Sequence, residues 1–263
     1  MTRARVTVVP EPGDVYRAFA QSFIQQLEQV QGSSETLNLI LPIGPTAQYP
    51  LIAGEINNKK LSMRNLRIVL MDEYLDWQGR PIPSSHHLSF RGQFEKFLNS
   101  VDSNLRPNSQ DWVIPNPFEI DLIDNFISQH GQIQTCYGGI GVHGHIAFNE
   151  PPITRYGSVS LEEFRQSGTR VVVLAPETIT INALRGNHGR FFDFPTLAVT
   201  IGMKHILAAK QIRLFADGGS RQHEAIRQFV EEEESVLYPI TLLKSHPDVS
   251  ILVDANTGSE LKS

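Results

Sequence analysis

Tyr137-Gly-Gly-Ile-Gly-Val-His-Gly-His-Ile-Ala-Phe-Asn-Glu-Pro151 organises this chain. Four glycines, two histidines and one glutamate fall within these fifteen residues. The stretch overlaps the end of an apolar run, 133–140, that reads as a strand. Glycines after a strand let the backbone turn sharply and approach a ligand closely. His143, His145 and Glu150 then lie on a loop where proton-moving groups can converge. The plainer reading is a Gly-rich turn with incidental histidines. The length of the loop, its titratable residues and its exit through Phe148-Asn149-Glu150-Pro151 favour a functional site.

Working outward, residues 120–130 predict a helix ended by Gly131, and 66–71 a buried strand that runs straight into Asp72-Glu-Tyr74. Residues 37–41 are apolar enough to be buried on both faces, and the tight loop Pro42-Ile-Gly-Pro-Thr46 leads to a helix over 47–56. After a short first strand at 5–9, Val15, Phe19, Phe23, Leu27 and Val30 share one face of a helix opened by Pro12-Gly-Asp14. Residues 76–87 and 101–118 read as loops, and 88–98 as a helix. Downstream, strands are expected at 169–174, 212–215 and 249–253, and Gly218-Gly-Ser220 opens a helix carrying Ala225, Ile226 and Phe229. Strands alternating with helices predict an α/β fold, a doubly wound, mostly parallel sheet with helices on both faces, in a single domain over 1–263. Ligands in such sheets bind beyond the carboxyl ends of the strands. That rule gathers four loops at one rim: 42–46, 72–74, 138–150 and 218–221.

With 263 residues and 40% hydrophobic content, the chain can bury a sizeable core. A net charge of -5 points away from nucleic acid as a partner, so an anionic ligand needs a local basic pocket. The single cysteine, Cys136, permits no internal disulfide and reads as a small buried residue. No long apolar run follows Met1, so neither a signal peptide nor a membrane span is expected, and a cytoplasmic location follows.

Asp72 ends an apolar strand, where a carboxylate is costly unless it is partnered or at the rim. A helix cap or a loop brace would explain it; so would a general base beside His145 and Glu150. Gly44 and Thr46 offer an anion backbone amides and a hydroxyl, and Gly218-Gly-Ser-Arg221 offers the same with a cation added. Arg190 is either a substrate clamp or a surface salt-bridge residue. The chain has several histidines, among them His86, His87, His188 and His223, but no H-x-x-x-H or C-x-x-C spacing. His143-x-His145 with a distant carboxylate is a metal option that ranks below side-chain acid–base chemistry. No metal or cofactor is therefore expected.

Met71-Asp-Glu-Tyr74 together with Gly141-Val-His-Gly-His-Ile-Ala-Phe-Asn-Glu-Pro151 resembles the glucosamine-6-phosphate isomerase/deaminase family, whose fold the 6-phosphogluconolactonases share. Leu41-Pro-Ile-Gly-Pro-Thr46, Arg190-Phe-Phe192, Thr200-Ile-Gly202 and His246-Pro-Asp248 extend the similarity along most of the chain. The resemblance implies conversion of an amino-sugar phosphate aldose to a ketose with release of ammonia, without a metal. It implies Asp72 as the base between C2 and C1, and His145 as the ring-opening group supported by Glu150, with His143 beside them. It also implies a phosphate site from the 42–46 loop with Gly44 and Thr46, and from Arg190. The chain departs from the family pattern in four places. His143 replaces an aspartate, Ile43 a hydroxyl, and Pro45 a glycine or serine. The family's later phosphate lysine falls near Gln222, with Arg221 beside it as a substitute. The expected partner is a small-molecule sugar phosphate, and the possibility of a homo-oligomer is left open. A non-catalytic sugar-phosphate sensor and a lactonase-like hydrolase are the alternatives.

Overall fold

A computed structural model describes residues 5–152, 157–259 and 261. Strand β1 (Arg5–Val9) leads into helix α1 (Pro12–Gln29), whose start carries Pro12 in the first turn and an Asp14 carboxylate that accepts the Glu11 N–H at 3.1 Å. Val15, Phe19, Phe23 and Leu27 are buried along one face of it, as their spacing predicts. Then follow β2 (Leu37–Leu41), α2 (Gln48–Lys59), β3 (Leu66–Leu70), β4 (Asp72–Leu75), α3 (Phe90–Ser100), β5 (Trp112–Val113), α4 (Leu122–His130) and β6 (Thr135–Gly139). The chain closes with α5 (Leu161–Arg165), β7 (Arg170–Val173), α6 (Pro176–Gly186), β8 (Leu197–Thr200), α7 (Met203–Leu207), β9 (Gln211–Ala216), α8 (His223–Glu231) and β10 (Val249–Asp254).

Seven strands form one parallel sheet in the order β1-β10-β9-β6-β2-β3-β5. Residues of β2 and β3 alternate between two cores. Leu39, Leu41, Ile68 and Leu70 face the cluster built with α1, α2 and α3, whereas Ile40 and Val69 face the one built with α4, α7 and α8. Burial on both faces explains why these strands read as unbroken apolar runs. From β2 the chain moves outward through β3 to β5, then returns to the other side of β2 as β6. The carboxyl ends of β2 and β6 therefore flank a crevice where the winding reverses.

Three features correct the expectations. Residues 72–74 are not a loop but the start of β4, which pairs antiparallel with β8, Asp72 opposite Thr200. The expected strand at 169–174 exists as β7, but it joins β4 and β8 in a separate three-stranded antiparallel sheet. Residues 101–118 contain β5, a two-residue strand at the edge of the large sheet. Met71 is the pivot between the sheets: its N–H donates to Leu41 O at 3.3 Å, and its carbonyl accepts from Ile201 N at 2.8 Å. Cys136 is fully buried, and burial raises its thiol pKa well above the ordinary range. No helix among the described residues is long and apolar enough to cross a membrane.

Candidate active site

The pivot at Met71 places Asp72 at the carboxyl end of β3, on the rim of the crevice. The loop after β6 arrives beside it. Gly141 N–H donates to His145 O at 2.8 Å and Gly144 N–H to Gly141 O at 2.9 Å, so this turn sets His143 and His145 side by side. Gly144 has φ +72 and Ala147 φ +53, and a side chain costs about 1–2 kcal/mol in that left-handed region. The loop exit is pinned from outside. Phe148 N–H donates to Thr200 Oγ1 at 3.1 Å, and buried Asn149 donates to the Ile146 and Ile201 carbonyls, each at 3.0 Å. Arg170 closes the network by donating to Asn149 Oδ1 at 2.8 Å.

A cleft of about 410 Å³ opens at this rim, and Gly44, Thr46, Asp72, His145 and Arg221 all line it. His143 and Glu150 stand behind His145: His145 Nδ1 is 3.9 Å from Glu150 Oε1, and the two imidazole centroids are 6.1 Å apart. Arg190 is not part of the lining. Its exposed guanidinium lies 3.7 Å from Asp193 and reaches Asn187 Oδ1 at 3.3 Å, an arrangement that matches the surface salt-bridge alternative.

Arg185 lines the cleft and the sequence reading missed it. It lies on α6, where Thr178, Ile181, Asn182 and Arg185 fall at i, i+3, i+4 and i+7 and all face the cleft. That spacing, behind Pro176 in the first turn, is the signal that could have found it. Tyr16 and Asp217 also line the cleft, and the Tyr16 hydroxyl donates to the Asp217 carboxylate. Gln222, at the position of the family lysine, uses its side-chain amide locally. Its Oε1 accepts from Gly218 N at 2.6 Å and its Nε2 donates to Ile140 O, tying the 218–221 loop to the end of β6. The 42–46 loop is braced from α2: Gln48 donates to Pro45 O at 2.6 Å, and the Tyr49 hydroxyl to Pro42 O.

Burial first, and then the adjacent Glu73 carboxylate, hold the Asp72 carboxyl well above its usual range, against the opposing pull of the Phe148 N–H. Glu73 itself is structural: it accepts from Ser89 Oγ, Phe90 N and Arg91 N at 2.9–3.0 Å, which caps α3. Burial also raises Glu150, opposed by Thr178 and by the Ala175 N–H, which donates to Oε2 at 2.6 Å. Burial, then His143, lowers His145 to about 3, so its imidazole is neutral near pH 7.

The sign of the His145 shift sets a pH dependence. Between its ordinary 6.5 and the folded value of about 3, the unfolded chain binds a proton that the folded chain refuses. Stability from this group is present above 6.5 and is lost as pH falls toward 3. The raised carboxyls of Asp72 and Glu150 act in the opposite sense, so the contribution of His145 must be isolated by difference. Thermal melts in EDTA-containing buffer from pH 7 to 4 should show a steeper acid loss for the native chain than for His145→Gln. Parallel curves would mean that the imidazole is protonated in the fold.

No family model matches the sequence. The chain is 32% identical to a glucosamine-6-phosphate deaminase of Beutenbergia cavernae, over 98% of this chain and 92% of that one. It is 31% identical to glucosamine-6-phosphate deaminase 1 of Mus musculus, over 88% of this chain and 76% of the relative. The chain belongs to the glucosamine-6-phosphate deaminase family. Membership marks it as a carbohydrate-metabolism enzyme of the isomerase/deaminase kind. Among solved structures, a monomeric glucosamine-6-phosphate deaminase superposes with TM-score 0.78 at 23% identity, covering 97% of this chain and 99% of that one. A 6-phosphogluconolactonase from Trypanosoma cruzi superposes with TM-score 0.69 at 13% identity, covering 99% and 98%. The fold is thus common to the deaminase family and the lactonases.

Proposed function

We propose that this cleft takes an amino-sugar phosphate from aldose to ketose with release of ammonia. One observation carries it: a buried carboxylate, Asp72, and a buried neutral imidazole, His145, line the same cleft as the 42–46 loop and the guanidinium-bearing residues Arg185 and Arg221. In this reading His145 relays the proton that opens the sugar ring. Asp72 removes the proton at C2 and returns it at C1, while a proton from the substrate's ammonium passes to O1, which leaves a protonated imine at C2. Water adds to that carbon, ammonia departs, and the ketose phosphate remains. The substrate's amine, cationic when it enters, favours the charged form of Asp72 and lowers its raised pKa toward the working range. Arg221 and Arg185 take the phosphate, with the Thr46 hydroxyl and loop amides completing its cradle.

The test is a panel of amino-sugar phosphates, glucosamine 6-phosphate included, assayed for ammonia and ketose phosphate together. Equimolar release of both from at least one member is the expected result. Arg221→Ala should raise KM roughly 10–100-fold with kcat largely kept, and Arg190→Ala less than about threefold. No ammonia from any member, with hydrolysis of 6-phosphogluconolactone instead, would replace this reading with a hydrolase. Tight binding without turnover would replace it with a sensor.

A further inference from the structure

His145, one half of the proposed proton-transfer pair, also belongs to a cluster with His143 and Glu150 whose inner atoms have no partner among the described residues. One donor atom from each of His143, His145 and Glu150 lies within 4.8 Å of the other two. His143 Nδ1, His145 Nδ1 and Glu150 Oε1 are all buried, and no described protein atom meets hydrogen-bond geometry with them; the Thr178 hydroxyl, itself unpaired, is the nearby group on the Glu150 side. The 3.9 Å between His145 Nδ1 and Glu150 Oε1 is too long for one. Orphaned buried polar atoms are costly, and three of them on three neighbouring side chains need an explanation.

The outer atom of one of these side chains is held: Glu150 Oε2 accepts from Ala175 N at 2.6 Å. His143 Nε2 lies 3.7 Å from the exposed Glu177 carboxylate, an ion-pair distance rather than a hydrogen bond. Both neighbours belong to the start of α6. A carboxylate that close could orient the His143 imidazole as carboxylates outside the ligand shell orient metal-bound histidines, provided it moves into hydrogen-bond range.

We infer that His143, His145 and Glu150 bind one divalent first-row transition ion, a His-His-Glu donor set open to water or a substrate oxygen at its remaining position. Donors about 2.0–2.2 Å from a zinc ion lie roughly 3.3–3.5 Å from one another, so the widest pair must close by up to about 1.5 Å. His143, whose side chain is only partly buried, is the member free to move. An ion on His145 Nδ1 fixes the imidazole proton on Nε2, the nitrogen that packs over Gly141 at the cleft. The ion would therefore set the tautomer of His145 and tie the 141–150 loop to the start of α6. The inference departs from the metal-free expectation because spacing along the chain hid the cluster. The carboxylate arrives five residues after His145, through a turn at Ala147 that no ligand-spacing pattern describes.

The competing occupant is a single water bridging the three orphaned atoms. The full chain, stripped with EDTA, is titrated with zinc against a chromophoric chelator, and cobalt is added in a parallel sample to read its visible spectrum. One zinc per chain is expected, with a cobalt spectrum distinct from that of the aqueous ion. His143→Asn should weaken zinc binding by more than the 10–100-fold typical of residues outside the ligand shell. His143→Cys, which supplies another zinc donor, should restore most of it. His86→Asn, in the stacked His86–His87 pair, controls for surface histidines and should leave the affinity unchanged. Circular dichroism verifies that each variant is folded, and Glu150→Gln replaces any histidine variant that is not. No zinc retained by the folded native chain, or undiminished binding in folded His143→Asn, overturns the inference in favour of the water. The readout is binding, so it is independent of whether an amino-sugar phosphate is turned over.

Discussion

Asp72→Asn should reduce kcat on an amino-sugar phosphate roughly 10²–10⁴-fold while KM stays within about threefold. The amide keeps the size and polarity of the side chain but cannot take a proton at neutral pH. Its position is secured independently of that proton: Asp72 opens β4, and the β4–β8 ladder and the Met71 hydrogen bonds hold the backbone. The same substitution should raise thermal stability. Asp72 is buried beside Glu73, and its raised pKa means that its charge destabilises the fold above the ordinary carboxylate range. By the linkage sign, the stability it contributes is present below the unfolded value of 3.8 and lost as pH rises through the folded one. The Asn variant should therefore melt higher than the native chain at pH 7, and the gap should close toward pH 4. A chain of this size gains roughly 2–4 °C per 1 kcal/mol. Near-native turnover in Asp72→Asn would remove the residue from the mechanism. Lost turnover with a lowered melting temperature would make it a structural brace.

The second large effect is expected at Gly141. A Cβ there would lie 1.9 Å from His145 Nε2, 2.1 Å from Cε1 and 2.3 Å from Cδ2. All three atoms belong to one buried imidazole, so Gly141→Ala must expel the ring or move the 141–145 turn. Turnover should fall by about as much as in His145→Gln, on the order of 10²-fold or more. The overpacking should also cost about 1–3 kcal/mol of stability, measurable by denaturant titration. Gly54→Ala in α2 is the control, because nothing lies within 4 Å of its added methyl. It should be neutral or slightly stabilising, since alanine is the better helix former. Native turnover in Gly141→Ala would show that the position of the imidazole is immaterial to the chemistry.

Both predictions concern residues that the sequence reading singled out, but their geometry was not readable there. The apolar runs of β2, β3 and β6 identified a parallel sheet because strands buried on both faces leave an unambiguous local signal. The rim rule then gathered Gly44, Thr46, Asp72, His145 and Arg221 correctly around one cleft. It failed for β4 and β8, whose antiparallel pairing joins residues more than a hundred positions apart. Asp-Glu-Tyr after an apolar strand looks like the start of a loop until a distant partner is known. The helix carrying Arg185 was missed because its cleft-facing positions mix Thr178, Ile181 and Asn182, so no apolar stripe marks them.

Arg190 and the His143–His145–Glu150 cluster mark the same boundary from opposite sides. A motif resemblance assigned Arg190 to the phosphate, whereas the chain places it on the surface beside Asp193 and outside the cleft lining. Ligand spacing argued against a metal, whereas a turn through positive φ at Ala147 brings the Glu150 carboxylate back to two imidazoles. Local chemistry, expressed in periodicity, glycine placement and titratable residues, is enough to identify the sheet, the rim and the titratable groups that line the cleft. It cannot say which guanidinium reaches the cleft or which donor atoms converge, because those depend on long-range strand pairing and on where each loop exits. The pairing that fixes Asp72 joins residues more than a hundred positions apart, and the approach of His143, His145 and Glu150, although they lie within eight residues, depends on a backbone turn that residue spacing does not specify.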